Sequence, residues 1–283
     1  MKIKIISDST CDLSPQLIEK YDIAIVPLYV VLGDKTARDG IDATPEDIYE
    51  YVEKTGKLPS TSAPNFADYL EEFRKWRGLG YEVVHFNISS EFSSAYHNAC
   101  AAAQEVGGAE VVDTRNLSTG SGLVVLHGAE LASQGADARE IAQSCRSLTD
   151  RVEASFVVDS IDYLYKGGRC SSVAALGANL LKLKPLIEVT EGKMRSGKKY
   201  RGNIDKVILS YVTDKLKDRD DIDRHRIFIT HTKCNPLVPA QVRNKINELY
   251  PGFEEICETV AGCTITSHCG PATLGILFVR KSK

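Results

Sequence analysis

The sequence predicts an α/β protein of two domains, an N-terminal α/β/α domain with a parallel sheet and a C-terminal α+β domain. Short apolar segments alternate with helical segments through the first 150 residues, a rhythm typical of parallel strands joined by helical crossovers. Near residue 150 the pattern changes to a hairpin and closely spaced strands. A chain of 283 residues is long enough for two modest domains, which we place at residues 1–150 and 151–283.

The elements of the first half follow from apolar patterning and capping residues. Strands are predicted at Lys2–Ser7, Tyr81–Asn87 and Ala109–Asp113. Helices are predicted after the capping residues Ser14, Thr44, Asn65 and Asp137, and over Tyr96–Val106 and Ser118–Ser133. Ile23–Leu32 is predicted as one long strand at a sheet edge, because Pro27 cannot donate a ladder hydrogen bond. Leu58–Pro64 is predicted as a loop, since two prolines flank three hydroxyl residues.

The second half contains shorter, more closely spaced strands. They are predicted at Ala154–Val158, Leu186–Thr190, Lys193–Arg195, Arg226–His231, Glu255–Val260 and Leu274–Arg280. Glu191 and Gly192 join two of them in a tight hairpin. This arrangement predicts an α+β domain with helices on one face of its sheet. His268, followed by Gly270 and Pro271, is predicted to lie in a constrained loop.

Composition excludes several classes of function. The net charge of −3 does not predict a nucleic-acid-binding protein. No apolar run approaches the roughly 20 residues of a membrane span, and the N-terminus turns polar too early for a signal peptide. The eight cysteines form no C-x-x-C pair, so the sequence predicts neither a zinc or other metal site nor a disulfide framework. We therefore predict a cytoplasmic protein with most of its cysteines buried.

Three hydroxyl-rich segments are candidates for ligand binding: Ser60–Ser62, Ser89–Ser94 and Thr264–His268. The second follows a strand and precedes a helix, where ligands bind in open α/β sheets and where helix N–H groups favour anions. The alternative is that Ser93 only caps the helix. A lone histidine such as His268 is also often structural.

The segment Lys166–Arg169 is a fourth candidate. Its two glycines allow the backbone to approach a ligand or partner closely, whereas the alternative is a helix C-cap at Gly167 or Gly168. The chain also contains the groups of a nucleophilic triad in Ser93, His268 and Asp8, so a serine hydrolase acting on lipid esters is a second interpretation. However, the sequence lacks a G-x-S-x-G elbow, a phosphate-binding P-loop and a G-x-G-x-x-G dinucleotide motif.

Five motifs in one order resemble the DegV family. They are Ser7–Leu13, Thr61-Ser62-x-Pro64, Ser89-Ser-x-x-Ser93, Tyr163-Leu-x-Lys-Gly-Gly-Arg169 and His268-x-Gly-Pro271. The resemblance implies two domains with a long-chain fatty acid held between them. It also implies a bacterial protein that is the fatty-acid-binding subunit of a fatty acid kinase. A separate ATP-binding subunit would then phosphorylate the bound carboxylate to an acyl phosphate for phospholipid synthesis.

The resemblance also assigns roles to residues. It implies that Thr61, Ser62, Ser93, Ser94 and His268 hold the fatty-acid carboxylate. Arg169 and Arg201 would line the mouth of the site, where the kinase subunit would dock.

No catalytic residue and no cofactor other than the bound fatty acid is implied. Two positions depart from the family pattern, because Ser94-Ala95 replaces Gly-Thr and Ala272 replaces glycine. A sensor of another apolar carboxylic acid remains a third interpretation. Tunnel residues stay unassigned, since Leu123–Leu126 and Leu176–Leu183 fit a core equally well.

Overall fold

The computed structural model of the chain describes residues 2–170 and 183–281, and these form three β-sheets with helices packed between and around them. In chain order the strands are β1 (Lys2–Asp8), β2 (Ala24–Val26), β3 (Tyr29–Leu32), β4 (Lys35–Arg38), β5 (Ser60–Ser62), β6 (Tyr81–Asn87), β7 (Ala109–Asp113), β8 (Val152–Val157), β9 (Leu183–Thr190), β10 (Lys193–Arg201), β11 (Ile222–His231), β12 (Glu255–Val260) and β13 (Leu274–Arg280). The helices are α1 (Pro15–Lys20), α2 (Pro45–Thr55), α3 (Phe66–Gly78), α4 (Ala95–Val106), α5 (Ser118–Ser133), α6 (Ala138–Thr149), α7 (Asp162–Gly167), α8 (Ile204–Leu216), α9 (Val238–Leu249) and α10 (Cys263–Cys269). A short 3-10 helix spans Ser9–Cys11.

The first sheet confirms the predicted parallel α/β/α layer. Its strand order is β2-β1-β6-β7, and every neighbouring pair is parallel. Successive apolar residues on each strand point to opposite faces. Helices α3 and α4 pack on one face against residues such as Ile6, and α5 and α6 pack on the other against residues such as Ile5.

The second sheet has six strands in the order β10-β9-β8-β13-β11-β12, antiparallel except for the pair β11 and β12. Helices α8 and α9 cover one face, in a core that includes Val157 and Ile229. The other face, with Ala154 and Phe228, packs against α5 from the first half. Helices α8 and α9 thus lie on one face, as predicted for the second half, and the sequence did not predict that α5 of the first half covers the other face and is shared by both sheets. The division of the chain near residue 150 stays a prediction.

The third sheet is small and antiparallel, in the order β4-β3-β5. It corrects two sequence predictions. Ile23–Leu32 is not one strand, because the chain leaves the first sheet after Val26 and enters the third at Tyr29, with Pro27 at the break. Leu58–Pro64 is not wholly a loop, since Ser60–Ser62 pairs with β3.

Helix α5 forms the middle layer and is buried on all sides over most of its length. Glycines allow this close packing. A Cβ atom on Gly122 would lie 2.8 Å from the carbonyl oxygen of Cys11, and one on Gly128 would lie 2.6 Å from the ring of Phe86. Leu123–Leu126 lies in this helix and belongs to the core, whereas Leu176–Leu183 falls outside the described residues apart from Leu183.

Two further observations concern the burial of the cysteines and the apolar length of the helices. All eight cysteines lie in the described residues and are present as thiols, and five of them are buried. None of the helices formed by residues 2–170 and 183–281 combines the length and apolar character needed to cross a membrane.

We expect Gly122→Ala to destabilise the protein by about 1–3 kcal/mol, because the added methyl group meets a backbone oxygen that cannot rotate away. In an open helix the same change normally stabilises by up to about 1 kcal/mol. Gly78→Ala is the matched control, since nothing lies within 4 Å of the new Cβ atom at that helical position. Urea unfolding measures both effects. An unfolding midpoint of Gly122→Ala at or above that of the unaltered protein would contradict this packing.

Candidate functional site

A cavity of about 60 Å³ lies where β5, the loop after β6, strand β10 and helix α10 meet. Its polar lining residues are Thr61, Ser62, Ser93, Arg169, Thr264 and His268. Its apolar lining residues are Leu28, Ala63, Ile88, Phe92, Leu117, Met194, Ile265 and Cys269. The structure thus brings together five of the predicted site residues from distant parts of the chain.

His268 lies on helix α10 and not in a loop, as the sequence had predicted. Its Nε2 atom shares a 2.8 Å hydrogen bond with the hydroxyl of Thr61 on β5. Burial, and to a lesser extent the charge of Arg169, lowers the pKa of His268 to about 4. The imidazole is therefore neutral at neutral pH. Its Nδ1 atom is buried and has no hydrogen-bond partner among the described residues.

Helix α7 packs closely on α10 through glycine. A Cβ atom on Gly167 would lie 2.4 Å from Nδ1 of His268, so only glycine leaves room for the ring. In the same contact, a Cβ atom on Gly270 would lie 2.6 Å from the ring of Tyr163. Gly168 has the left-handed conformation (φ 68°) and ends the helix. The C-cap interpretation is thus confirmed for Gly168, whereas the close approach at Gly167 is to His268 of the same chain, and an approach to a ligand or partner stays a prediction.

Of the serines that follow β6, Ser93 alone lines the cavity. Its hydroxyl oxygen accepts a hydrogen bond of 3.2 Å from the N–H of Ala95 at the start of α4, although the N-cap position is Ser94 and not Ser93 as predicted. The hydroxyl of Ser89 instead donates to the carbonyl of Gly192 (2.8 Å), at the tip of the β9–β10 hairpin. Asp8 holds the start of this loop by accepting the N–H of Ile88 (2.7 Å).

Two predicted site residues do not line the cavity. Ser94 is exposed at the N-cap of α4 and is not one of the lining residues. Arg201 is exposed at the far end of β10, seven residues beyond the lining residue Met194, a length of roughly 20 Å along the strand at about 3.3 Å per residue. The positions of both residues depend on strand length and helix geometry, which the motifs alone do not specify.

A nucleophilic triad is not assembled by Ser93, His268 and Asp8. A triad requires the histidine to bond both the serine and the carboxylate. Nε2 of His268 bonds Thr61 instead, and Asp8 accepts hydrogen bonds from Thr10, Asn87 and Ile88. This geometry argues against the hydrolase interpretation.

Sequence reasoning missed several lining residues. Thr264 lies four residues before His268, so helical spacing would have placed both side chains on one face had the segment been recognised as a helix. No local sequence pattern marks Leu117 or Met194 as a residue that lines the cavity. No group of three or more His, Cys, Asp or Glu residues is arranged to hold a metal ion in the part of the chain that the structure describes.

A larger cleft of about 740 Å³ lies elsewhere, bordered by β8, β9 and α8. Its charges neutralise one another: Lys215 pairs with Glu153 and Glu188, and Arg219 pairs with Glu153 and Asp221. None of the hydroxyl-rich motifs contributes to it. The smaller cavity is therefore the candidate site.

Comparison with known proteins supports one family. The model of the DegV family, described as "Uncharacterised protein, DegV family", matches residues 2–281. A fatty acid-binding protein of Thermotoga maritima is 32% identical over 283 residues, covering 97% of this chain and 96% of that protein. A solved DegV lipid-binding protein from Thermotoga maritima is similar with a TM-score of 0.87 and 30% identity over 100% of both chains. A stearic acid-binding protein from Eubacterium ventriosum is similar with a TM-score of 0.83 and 26% identity over 99% of this chain and 98% of that one.

We expect Gly167→Ala to raise the pKa of His268 from about 4 towards the ordinary value of about 6.5, because the new methyl group displaces the ring from its buried position. A histidine NMR titration measures the change. Gly168→Ala is the control, since nothing lies within 4 Å of a Cβ atom there and the substitution strains only the helix end. A pKa that stays near 4 in Gly167→Ala would show that Gly167 does not position the ring.

Proposed function

The chain belongs to the DegV family, and from this premise and the geometry of the cavity we propose that it binds a long-chain fatty acid and presents its carboxylate to a separate ATP-dependent kinase subunit. The relatives described as binding fatty acids or stearic acid support the ligand class. The proposal rests on one main observation, which is that Thr61, Ser93 and His268 line the same cavity together with apolar side chains.

The polar groups match the needs of a carboxylate. A neutral His268 with its proton on Nε2 donates to the Thr61 oxygen, which leaves the Thr61 proton for a carboxylate. The Ser93 oxygen already accepts the N–H of Ala95, so its proton is also available to donate. Ser62 lines the same cavity. Neutral donors of this kind bind a carboxylate without a fully buried ion pair, which would carry a large desolvation cost.

Most of the binding free energy would come from the acyl chain. Burying about 16 carbons at ~0.8 kcal/mol per methylene gives on the order of 10 kcal/mol, against an association cost of about 4–15 kcal/mol. The hydrogen bonds to the carboxylate then serve mainly to orient it. Space for the acyl chain between apolar side chains is therefore the larger requirement of the site.

The acyl chain would need more room than the cavity has. Ligand pockets usually measure about 300–1,000 Å³, whereas this cavity measures about 60 Å³. A second cavity of about 20 Å³ lies directly beyond Leu117, Ile265 and Cys269, which line both cavities. We propose that the acyl chain separates these three side chains and joins the two spaces.

The same arrangement suits presentation of the ligand to a partner. Hydroxyl donors leave one carboxylate oxygen open towards the mouth of the cavity, where Arg169 is exposed and lines the wall. The guanidinium of Arg169 would stabilise charge on a phosphoryl group transferred from ATP on the kinase subunit. The chain would then act as a carrier without catalytic residues of its own.

Lipid extraction and mass spectrometry of the purified protein test the binding proposal, followed by titration of the delipidated protein with palmitate. We expect Ser93→Ala to weaken palmitate binding about 10- to 100-fold, the effect of losing one hydrogen bond to a charged group. Ser94→Ala is the matched control, because this neighbouring hydroxyl is exposed outside the cavity. Protein that neither retains nor takes up a fatty acid would refute the proposal. Equal effects of the two variants would refute the placement of the carboxylate.

Presentation to a kinase is tested by acyl-phosphate formation with ATP and the kinase subunit of the same organism. We expect Arg169→Gln to lower the rate at least tenfold while palmitate still binds, because the guanidinium faces the transferred phosphoryl group and not the acyl chain. Arg139→Gln, an exposed arginine on α6, is the control and should leave the rate unchanged. Arg201→Gln reports whether the partner surface extends along β10. Acyl phosphate formed at full rate by Arg169→Gln would contradict this role.

A further inference from the structure

Among the residues that line the cavity, Thr264 has a buried hydroxyl group without a hydrogen-bond partner in the described part of the chain. Thr264 is 4% exposed and lines the cavity. Its Oγ1 atom is buried and has no hydrogen-bond partner within the described ranges 2–170 and 183–281. Its backbone N–H is already used, since it donates to Asp39 (3.0 Å). The side-chain hydroxyl is therefore a spare polar group on a residue that lines the ligand space.

A threonine in a helix usually satisfies its hydroxyl locally. Thr266, two residues further on α10, does so by donating to the carbonyl of Ala261 (3.3 Å). Thr264 makes no such bond, and its neighbours in the cavity wall include the apolar side chains of Leu28 and Ile265. Leaving a buried hydroxyl unpaired costs free energy that valine, of nearly the same shape, would avoid. The position is better explained by a group on the ligand that completes the hydrogen bond.

Helix geometry shows where on the ligand that group would lie. Thr264 and His268 are four residues apart on the same face, about 6 Å along the helix axis. His268 bonds Thr61, which is a predicted contact of the carboxylate. A group bonded to Thr264 would therefore lie a few atoms further along the ligand than the carboxylate, beside the first carbons of the acyl chain.

We propose that Thr264 makes the site select fatty acids that carry a hydroxyl substituent close to the carboxylate, such as 3-hydroxy fatty acids. This inference rests on the proposed function, because it places the carboxylate at Thr61 and His268. The physical basis is that a site built to hydrogen-bond a ligand hydroxyl discriminates against the analogue that lacks it. The unsubstituted acid leaves Thr264 unpaired in the complex, and the 3-hydroxy acid does not.

The test measures the dissociation constants of palmitate and 3-hydroxypalmitate with the delipidated full chain. The quantity of interest is the preference, defined as the palmitate constant divided by the 3-hydroxypalmitate constant. We expect this preference to fall about tenfold in Thr264→Val and to be retained in Thr264→Ser, which keeps the hydroxyl. Thr266→Val is the matched control, since it removes a buried hydroxyl from the same helix outside the cavity. It should keep the unaltered preference.

The outcomes separate the two proposals. A preference that is the same in Thr264→Val and the unaltered protein, both of which bind palmitate, overturns the role of Thr264 and leaves fatty-acid binding in place. An equal fall in Thr266→Val also overturns it, because the effect would then come from loosening the helix. An unaltered protein that binds neither acid overturns both proposals. Should Thr264→Val fail to fold, Thr264→Ala replaces it and must show the same loss of preference.

Discussion

The start of helix α10 is held by two aspartate side chains from the other half of the chain, and the candidate site depends on this contact. Asp39 accepts the N–H groups of Cys263 (2.8 Å) and Thr264 (3.0 Å), and Asp12 accepts that of Gly262 (2.8 Å). Carboxylates satisfy the unpaired N–H groups at a helix start and complement its dipole. Burial raises the pKa of Asp12 to about 8, so at neutral pH this group is mostly the neutral acid, whose Oδ1 atom still accepts the N–H of Gly262. The contact fixes which face of α10 is turned towards the cavity.

Helix α5 holds the two sheets in the relative position that this contact requires. It is apolar on both sides and packs between the first and second sheets, so their relative position is set by one shared layer. Small residues such as Gly122 and Gly128 bring the strands close to its backbone. Leu117, which immediately precedes α5, lines both cavities next to α10. The site therefore lies where the two halves of the chain meet, and neither half forms it alone.

The chemistry of the site follows from its burial. Burial disfavours the charged form of His268 and is the larger cause of its lowered pKa. The nearby positive charge of Arg169 lowers the pKa further. The interior of the cavity is thus lined by neutral donors and apolar side chains, with its cation kept at the exposed edge. This division suits a ligand with an apolar body and one anionic end. Glycine at position 167 is part of the same arrangement, because it alone leaves room for the imidazole.

The sequence by itself determined the local elements and the family. The apolar patterns of β1, β6 and β7 and the caps of α2, α3 and α6 are local signals, and the motif order indicated which segments carry the site. The tertiary structure decided which of those residues meet. Thr61 and His268 are 207 residues apart in the chain, so their hydrogen bond leaves no local pattern. The same reason explains why the motifs included Ser94 and Arg201, which do not line the cavity, and why Thr264 was named only as part of the segment Thr264–His268. Whether a side chain faces a cavity depends on the register of its own element and on what packs against it, and both are set only when the sheets and α10 come together.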